Sequence, residues 1–249
     1  MKYLFFVFVI FLACSAPRDK SVPTIYSKNI KDSFELYINT SSDNLKIENY
    51  SIVFYLDANL KIGNELRRQI GLKENQEKLK NVIFIGIGHI GNYRELRRRD
   101  FIPPVIKNKD TIFEEDPNFG RADKFYEFLS QELIPYVSQK YPNNGKYTLI
   151  GHSFGGLFTF YCLMKPKAIF QNYIALSPSL WVNNHNFFEI ETQFQNLGFS
   201  PKGVLYHSCG SLEWINKVLY SSRQMKDTLL KRNYTKLKYH YLEYAGEGH

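Results

Sequence analysis

The sequence is short of the residues that build disulfide-bonded or metal-bound domains. Its 249 residues include only three cysteines, which cannot form a disulfide framework and show no paired C-x-x-C spacing. The metal-binding patterns H-E-x-x-H and the EF-hand loop do not occur either. The excess of positive over negative charge is also small, because 32 Lys and Arg against 24 Asp and Glu leave a net charge of only +8. We therefore expect no metal, no cofactor and no nucleic-acid partner.

Long apolar runs are also missing, and the one short run lies at the start of the chain. Lys2 precedes apolar residues from Tyr3 to Ala13, which is the layout of an export signal and is shorter than the roughly 18 residues of a membrane-spanning helix. Cys14 follows, and the Phe-Leu-Ala-Cys ending resembles the bacterial lipoprotein signal, in which this cysteine is lipidated. An ordinary cleaved secretory signal is the alternative.

This start predicts the layout of the whole chain. Residues 1–14 are the signal that ends at the lipidated Cys14, residues 15–28 are a polar tether, and residues 29–249 form a single domain. We accordingly expect an exported bacterial protein that is anchored to a lipid bilayer.

Strand-like and helix-like patterns alternate through the predicted domain. Ser33–Asn39 alternates apolar and polar residues as an edge strand does. The apolar runs at Ser51–Leu56 and Asn81–Ile87 are typical of strands buried on both faces of a parallel sheet. Further strands are predicted at Tyr147–Ile150, Asn172–Ala175, Gly203–His207 and Leu237–Tyr244, and helices at Leu60–Lys80, Ala122–Tyr141, from Phe154 onward and near Glu213–Arg232. The alternation predicts an α/β domain whose mostly parallel central sheet has helices on both faces.

One motif carries recognisable chemistry. Residues 151–155 read Gly-His-Ser-Phe-Gly and stand between an apolar strand-like run and a helix-like segment. In a G-x-S-x-G turn of this kind, small flanking residues let strand and helix approach while the serine projects from the turn. This context predicts Ser153 as a nucleophile and the backbone N–H of Phe154 as an oxyanion donor. A second donor is expected from the loop after an earlier strand, at Ala58 or Asn59. A glycine-rich turn capped by serine is the structural alternative.

A base should follow the nucleophile in the sequence. Four histidines come after Ser153, and two of them, His207 and His240, lie inside strand patterns. His185 lies in a polar turn. His249 follows the last predicted strand, in the kind of loop where a base is expected, and is the predicted base.

The acid that orients the base should follow the preceding strand. Glu213 lies just beyond the strand at residues 203–207 and is the predicted acid. Asp227 is the alternative, although a position in the middle of a helix favours a solvated charge. A serine–histidine pair without an acid is the other alternative.

Four arginines form the main basic cluster. They are Arg94, Arg97, Arg98 and Arg99, and they lie within Asn92–Gly120, the longest stretch predicted to be irregular. Because ligands bind at the carboxyl edge of open α/β sheets, the cluster is a candidate anion-binding rim. Pairing of one arginine with Asp100 in a solvated basic loop is the structural alternative.

The motifs together resemble the putative-esterase family of α/β-hydrolases. This family includes siderophore esterases of the enterobactin type, S-formylglutathione hydrolase, and feruloyl and acetylxylan esterases. The likeness is strongest for the siderophore-esterase branch and is carried by Tyr55-Leu56-Asp57, Gly86-Ile87-Gly88, Arg99-Asp100-Phe101-Ile102-Pro103, residues 151–157, Ser177-Pro178-Ser179-Leu180-Trp181, residues 210–213 and residues 246–249. The resemblance implies an α/β-hydrolase fold and a serine esterase with Ser153 and His249 in the matching positions.

The sequence departs from that family at two positions. Ala58 replaces the glycine usual after the aspartate of the oxyanion loop. The chain also stops at His249, where family members continue with a terminal segment, so we expect that the sequence is a truncated gene product.

Arg97, Arg99, His152 and Trp181 are the candidate substrate-binding residues.

We therefore expect an esterase that acts on a small-molecule ester, with a siderophore-type or other anionic ester as the first candidate. A polysaccharide acyl-esterase or acyltransferase of the same fold is one alternative. A surface lipoprotein that binds a ligand with little catalysis is an alternative of another class.

Overall fold

The computed structural model describes residues 22–40, 49–106, 119–215 and 217–249. The expected export signal and Cys14 lie outside these residues, so the lipid anchor remains a prediction. Within the described residues, no helix is both long enough and apolar enough to cross a membrane.

A single eight-stranded sheet runs through the described part of the chain. Its strands are β1 (Thr24–Ser27), β2 (Asp32–Thr40), β3 (Ser51–Leu56), β4 (Val82–His89), β5 (Tyr147–His152), β6 (Asn172–Leu176), β7 (Gly203–Gly210) and β8 (Leu237–Tyr244). Their spatial order is β1-β2-β4-β3-β5-β6-β7-β8. The β1–β2 and β2–β4 pairs are antiparallel and all other pairs are parallel. The mostly parallel sheet predicted from the sequence is confirmed.

Helices cover both faces of this sheet. They are α1 (Lys61–Gly71), α2 (Lys73–Gln76), α3 (Tyr93–Phe101), α4 (Ala122–Glu127), α5 (Ile134–Lys140), α6 (Phe154–Leu163), α7 (Val182–Asn196) and α8 (Val218–Arg232), and the π-helical segment Phe128–Leu133 joins α4 to α5. On one face, Leu66 of α1 packs with Tyr55 and Ile150. On the other, the Phe160 ring of α6 meets the His207 ring edge-on at 5.0 Å. The α/β fold with helices on both faces is thus confirmed.

Aromatic side chains hold α3 in place. Phe34, Phe101, Phe125, Phe128 and Phe158 are fully buried, and their contacting ring pairs have centroids 4.7–5.8 Å apart. Ring pairs at this spacing stabilise a core beyond the area that they bury. The cluster joins β2, α3, α4 and α6, and it fixes α3 beside the helix that begins after Ser153.

Three segments of the chain differ from the sequence predictions. Thr24–Ser27 pairs with β2, so part of the tether predicted at residues 15–28 belongs to the sheet. The stretch predicted to be irregular, Asn92–Gly120, contains α3, whose charged sequence conceals the fully buried Asp100. Helix α7 was not predicted, because it is mostly polar and contains three consecutive left-handed residues, Asn183–His185, directly after its first residue.

Candidate active site

The serine turn has the strained backbone expected of a nucleophile. Ser153 joins β5 to α6 with φ +59° and ψ −115°, a conformation that residues with a side chain rarely adopt. Glycines make the close packing of this turn possible. A Cβ on Gly151 would lie 2.1 Å from the Gly155 carbonyl oxygen, and one on Gly156 would lie 3.0 Å from the Leu176 carbonyl oxygen. The G-x-S-x-G-G pattern therefore sets how closely the strand and helix approach.

Two residues from distant parts of the sequence form a hydrogen-bonded chain with Ser153. His249 Nε2 lies 3.0 Å from Ser153 Oγ, and His249 Nδ1 lies 2.7 Å from Glu213 Oε2. The three residues follow β5, β7 and β8, and the parallel sheet brings the ends of these strands to one edge. The structure therefore brings together the residues predicted as nucleophile, base and acid.

The Glu213 carboxylate is enclosed and has a hydrogen-bond partner at both oxygens. Its residue is 2 % exposed, and Oε1 accepts hydrogen bonds of 2.6 Å from the Ser177 hydroxyl and 2.6 Å from the Gly210 N–H. Burial disfavours the charged carboxylate, but hydrogen bonds from Ser177, Gly210 and His249 outweigh it and lower the pKa of Glu213. The carboxylate is therefore ionised at neutral pH and can orient His249.

The structure corrects one of the predicted oxyanion donors. The Ala58 N–H donates to the Ile87 carbonyl oxygen at 3.1 Å. This hydrogen bond joins the loop after β3 to β4, so the Ala58 N–H is not available to an oxyanion. The Asn59 and Phe154 N–H groups have no acceptor among the described residues. The Asn59 side chain donates to the His89 carbonyl oxygen at 2.7 Å and holds that loop. Phe154 and Asn59 therefore remain the candidate donors.

The structure also corrects the interpretation of Arg97 as part of an anion-binding rim. Its guanidinium donates to both Asp57 oxygens at 2.7 and 2.9 Å and to the His152 carbonyl oxygen at 3.4 Å. Burial raises the pKa of Asp57 more than the Arg97 charge lowers it. Arg97 thus joins the oxyanion loop to the residue before Ser153. This arrangement suits a residue that positions the oxyanion donors relative to the nucleophile.

Arg99 requires the same correction. It donates to both oxygens of Asp100 at 2.8 Å and to Asp32 at 2.9 Å, and Asp100 also contacts His89 Nε2 at 3.0 Å. The pairing with Asp100 that the sequence left open is present. Of the four arginines, Arg94 and Arg98 are the exposed ones.

His152 lies against the predicted base. Its ring centroid is 4.6 Å from that of His249. Burial, with smaller contributions from the positive charges of His249 and Arg97, lowers the pKa of His152 to about 4, so the ring is neutral at neutral pH. The substrate-binding role predicted for His152 stays a prediction, because the described contact is with another protein side chain.

Trp181 lies beside the acid loop. Its ring packs against Cys209, Val218 and Leu219. Within the described residues, its Nε1–H is buried without a hydrogen-bond acceptor. The substrate-binding role predicted for Trp181 stays a prediction.

The alternative bases and the alternative acid lie elsewhere. His207 is buried, bonds Tyr239 Oη at 3.0 Å and has its pKa lowered by burial to about 3. His240 stacks on Tyr206, and Asp227 pairs with Lys226 on α8. No group of three or more His, Cys, Asp or Glu side chains in the described part of the chain is arranged to hold a metal ion.

Two serines of the segment 177–181, which carries the family resemblance but in which they were given no role, contact the site. Ser177 donates to Glu213, as above, and Ser179 Oγ lies 3.2 Å from Ser153 Oγ. Both follow β6, which lies between the strands that carry Ser153 and Glu213. Their place directly after a predicted parallel strand was the signal that could have found them.

Comparison with known proteins gives a consistent result. The family described as putative esterase matches residues 31–241. The chain is similar to the ferri-bacillibactin esterase BesA of Bacillus subtilis (strain 168), with 28 % identity over 236 residues that cover 90 % of this chain and 81 % of the relative.

Solved structures show the same fold. The BES protein from Bacillus cereus has a TM-score of 0.75 and 27 % identity, over 91 % of this chain and 88 % of that one. The siderophore hydrolase EstB from Aspergillus nidulans has a TM-score of 0.71 and 21 % identity, over 94 % and 91 % of the two chains. At 21 % identity, the similarity to EstB shows a shared fold and no more.

Proposed function

Because this chain belongs to the putative esterase family of α/β-hydrolases and is an esterase, we propose that it cleaves carboxylic esters through an acyl-enzyme on Ser153. The observation that carries the proposal is the hydrogen-bonded chain from Ser153 Oγ to His249 at 3.0 Å and from His249 to Glu213 at 2.7 Å. A nucleophile, a base and an orienting carboxylate in this arrangement perform acyl transfer on several unrelated folds.

In the acylation step, His249 Nε2 accepts the Ser153 hydroxyl proton as Oγ attacks the carbonyl carbon of the ester. Glu213, ionised and bonded to Nδ1, keeps Nε2 unprotonated in the free enzyme and stabilises the imidazolium that forms. The oxyanion of the tetrahedral intermediate accepts hydrogen bonds from the Phe154 and Asn59 N–H groups. Collapse of the intermediate breaks the carbon–oxygen bond, and the departing alcohol takes the proton from His249.

In the deacylation step, water takes the place of the departed alcohol. His249 accepts a proton from this water as its oxygen attacks the acyl carbon, and the same two N–H groups stabilise the second oxyanion. The intermediate then releases the carboxylic acid, and Ser153 Oγ recovers its proton from His249. Each turnover consumes one water and leaves the site unchanged.

We propose a siderophore-type or other anionic small-molecule ester as the substrate. Support comes from relatives named ferri-bacillibactin esterase and siderophore hydrolase. The net charge of +8 and the exposed Arg94 and Arg98 favour the approach of an anion.

We further propose that the protein acts outside the cytoplasm, held at a membrane by a lipid on Cys14. The support is the short apolar run that ends at this cysteine. Cys14→Ser should move the protein from the membrane fraction to the soluble exported fraction. Retention of that variant with membranes would contradict a lipid anchor at Cys14.

A substrate panel tests the proposed activity. Wild-type protein is compared on a siderophore trilactone, a feruloyl sugar, acetylated xylan and a chromogenic short-chain ester, and rapid quench with intact-mass measurement detects an acyl group on Ser153. We expect the highest kcat/KM on the trilactone. Preference for acetylated xylan would indicate a polysaccharide esterase, and acyl transfer to an added alcohol would indicate an acyltransferase. Binding without turnover on any ester would indicate a ligand-binding lipoprotein.

A further inference from the structure

The loop after β6 contacts both ends of the hydrogen-bonded chain that contains Ser153, His249 and Glu213. The Ser177 hydroxyl donates to Glu213 Oε1 at 2.6 Å, and Ser179 Oγ lies 3.2 Å from Ser153 Oγ. Both serines are buried. We propose that Ser177 and Ser179 are positioning residues for the proposed esterase reaction, Ser179 for the nucleophile and Ser177 for the acid. This inference rests on the catalytic roles proposed above.

The hydrogen bonds available at Ser153 Oγ explain what the Ser179 hydroxyl can do. When His249 is neutral, Nε2 is an acceptor, so the Ser153 proton points to it and Oγ accepts a hydrogen bond from Ser179. Ser179 is 2 % exposed, and its hydroxyl has no other partner in the described residues. Its proton therefore has one buried acceptor, Ser153 Oγ. This hydrogen bond holds Oγ in the orientation that directs the Ser153 proton to His249.

The same hydroxyl also serves the protonated site. When His249 is charged, its Nε2–H donates to Ser153 Oγ, and the Ser153 proton then needs a new acceptor. Ser179 Oγ can provide it, because a hydroxyl both donates and accepts. Neither protonation state of His249 then leaves Ser153 with an unpaired polar atom, and Oγ does not have to turn away between them.

Ser177 acts at the other end of the chain. Its hydroxyl and the Gly210 N–H both bond Oε1 of Glu213, which leaves Oε2 facing His249 Nδ1. A donor on the carboxylate favours its charged form, and two donors on one oxygen fix the plane of the carboxyl group. Ser177 adopts φ +44°, and its N–H donates to the Ser208 carbonyl oxygen at 2.7 Å. The backbone thus holds this hydroxyl in place.

Main-chain bonds fix the loop independently of the two hydroxyls. Ser153 N–H donates to the Leu176 carbonyl oxygen at 3.0 Å, and Ser179 N–H donates to the Ser153 carbonyl oxygen at 3.0 Å. A Cβ on Gly156 would lie 3.0 Å from Pro178 Cα, so α6 packs directly on the loop. Removing either hydroxyl should therefore leave the backbone in place, which makes its effect on catalysis measurable.

The test of Ser179 compares variants that lose or keep the hydroxyl. Ser179→Ala should lower kcat by about 10–100-fold with little change in KM, because a misplaced nucleophile slows the chemical step without weakening binding. Ser179→Thr should restore most of the rate, and Ser179→Cys, a weaker donor, serves if the added methyl group lowers the Tm. The rate of Ser153 modification by diisopropyl fluorophosphate should fall in parallel with kcat. Ser221 is a buried serine on α8 whose hydroxyl bonds only main-chain carbonyls. The variant Ser221→Ala is therefore the matched control and should react at the wild-type rate.

The test of Ser177 uses the pH profile of kcat/KM. Ser177→Ala removes a donor from the carboxylate, which raises the pKa of Glu213 and strengthens its attraction for the imidazolium of His249, so the acid limb should move to higher pH. Ser177→Gly removes the same hydroxyl where the positive φ suits glycine, and it should give the same shift.

Unchanged kcat, fluorophosphate reactivity and pH profile in these variants would overturn the positioning role while Ser153→Ala remains inactive. An active Ser153→Ala would instead overturn the proposed function.

Discussion

Arg97 donates two hydrogen bonds, of 2.7 and 2.9 Å, to the buried carboxylate of Asp57. Asp57 precedes the candidate oxyanion donor Asn59, and Arg97 also contacts the carbonyl oxygen of His152, the residue before Ser153. One ion pair therefore links the β3 loop to the nucleophile turn. The relative positions of oxyanion donor and nucleophile depend on it.

Replacing Arg97 should lower the activity on anionic and neutral esters by the same factor. Arg97→Ala leaves Asp57 as an unpaired buried carboxylate, which should lower the free energy of unfolding by about 3 kcal/mol. Because the positioning of the site is lost, kcat/KM should fall by a similar factor for an anionic and a neutral ester with the same leaving group. A rise in KM for the anionic ester alone would restore the substrate-binding interpretation. Arg94→Ala, which removes an exposed guanidinium, is the comparison variant.

His152 should help to position the base, a role that kinetics can separate from the substrate contact predicted from the sequence. Its neutral ring lies 4.6 Å from the ring of His249, so His152→Ala should free His249 to move and lower kcat by about tenfold with little change in KM. His152→Phe keeps a ring at this place and should retain most of the rate. Steady-state kinetics on one chromogenic ester distinguish the two roles, because a substrate contact would appear as a raised KM in both variants.

His207 should make the fold sensitive to acid. Its pKa is about 3 in the folded protein against about 6.5 in an unfolded chain. Below pH 6.5 the unfolded state binds a proton that the folded state does not, so stability falls as the pH falls towards 3. His207→Phe should gain about 1.4 kcal/mol relative to wild type for each pH unit lowered in this range.

Urea unfolding at pH 7, 6 and 5 measures this difference. Tyr239→Phe, which removes the hydrogen bond to His207 Nδ1 but keeps the imidazole, should lower stability by about 1 kcal/mol at each pH. A His207→Phe advantage that does not change with pH would contradict the assignment.

Two glycines should respond oppositely to the same substitution. Gly156→Ala places a Cβ 3.0 Å from the Leu176 carbonyl oxygen and Pro178 Cα, so it should cost about 1–3 kcal/mol of stability. At Gly71, the last residue of α1, an added Cβ would meet no atom of the described residues within 4 Å, and Gly71→Ala should be neutral or stabilising by up to about 1 kcal/mol. Thermal unfolding of both variants checks this. Equal Tm values for the two would show that α6 does not pack tightly on the β6 loop.

The parts of the fold set by local patterns could be predicted from the sequence. The bounds of β3 and β8 agree with the predicted runs, because a buried strand is a short apolar or alternating segment between polar turns. The residues of the hydrogen-bonded chain were also predictable, since a parallel sheet places the ends of successive strands at one edge.

The parts set by distant partners could not be predicted. Helix α3 is mostly charged, and its arginines pair with Asp57 and Asp32, which lie 40 and 67 residues away. Ala58 gives its N–H to Ile87 through the contact with β4, which no local pattern of the β3 loop reveals.

Ester turnover by Ser153→Ala tests the central claim most directly. We expect this variant to fold as the wild type does and to release the chromophore from a short-chain ester roughly 10⁴–10⁶-fold more slowly, since only the nucleophile is lost. His249→Ala should fall in a similar range in the same assay. Turnover by folded Ser153→Ala at a rate near that of wild type would contradict the assignment of Ser153 as the nucleophile.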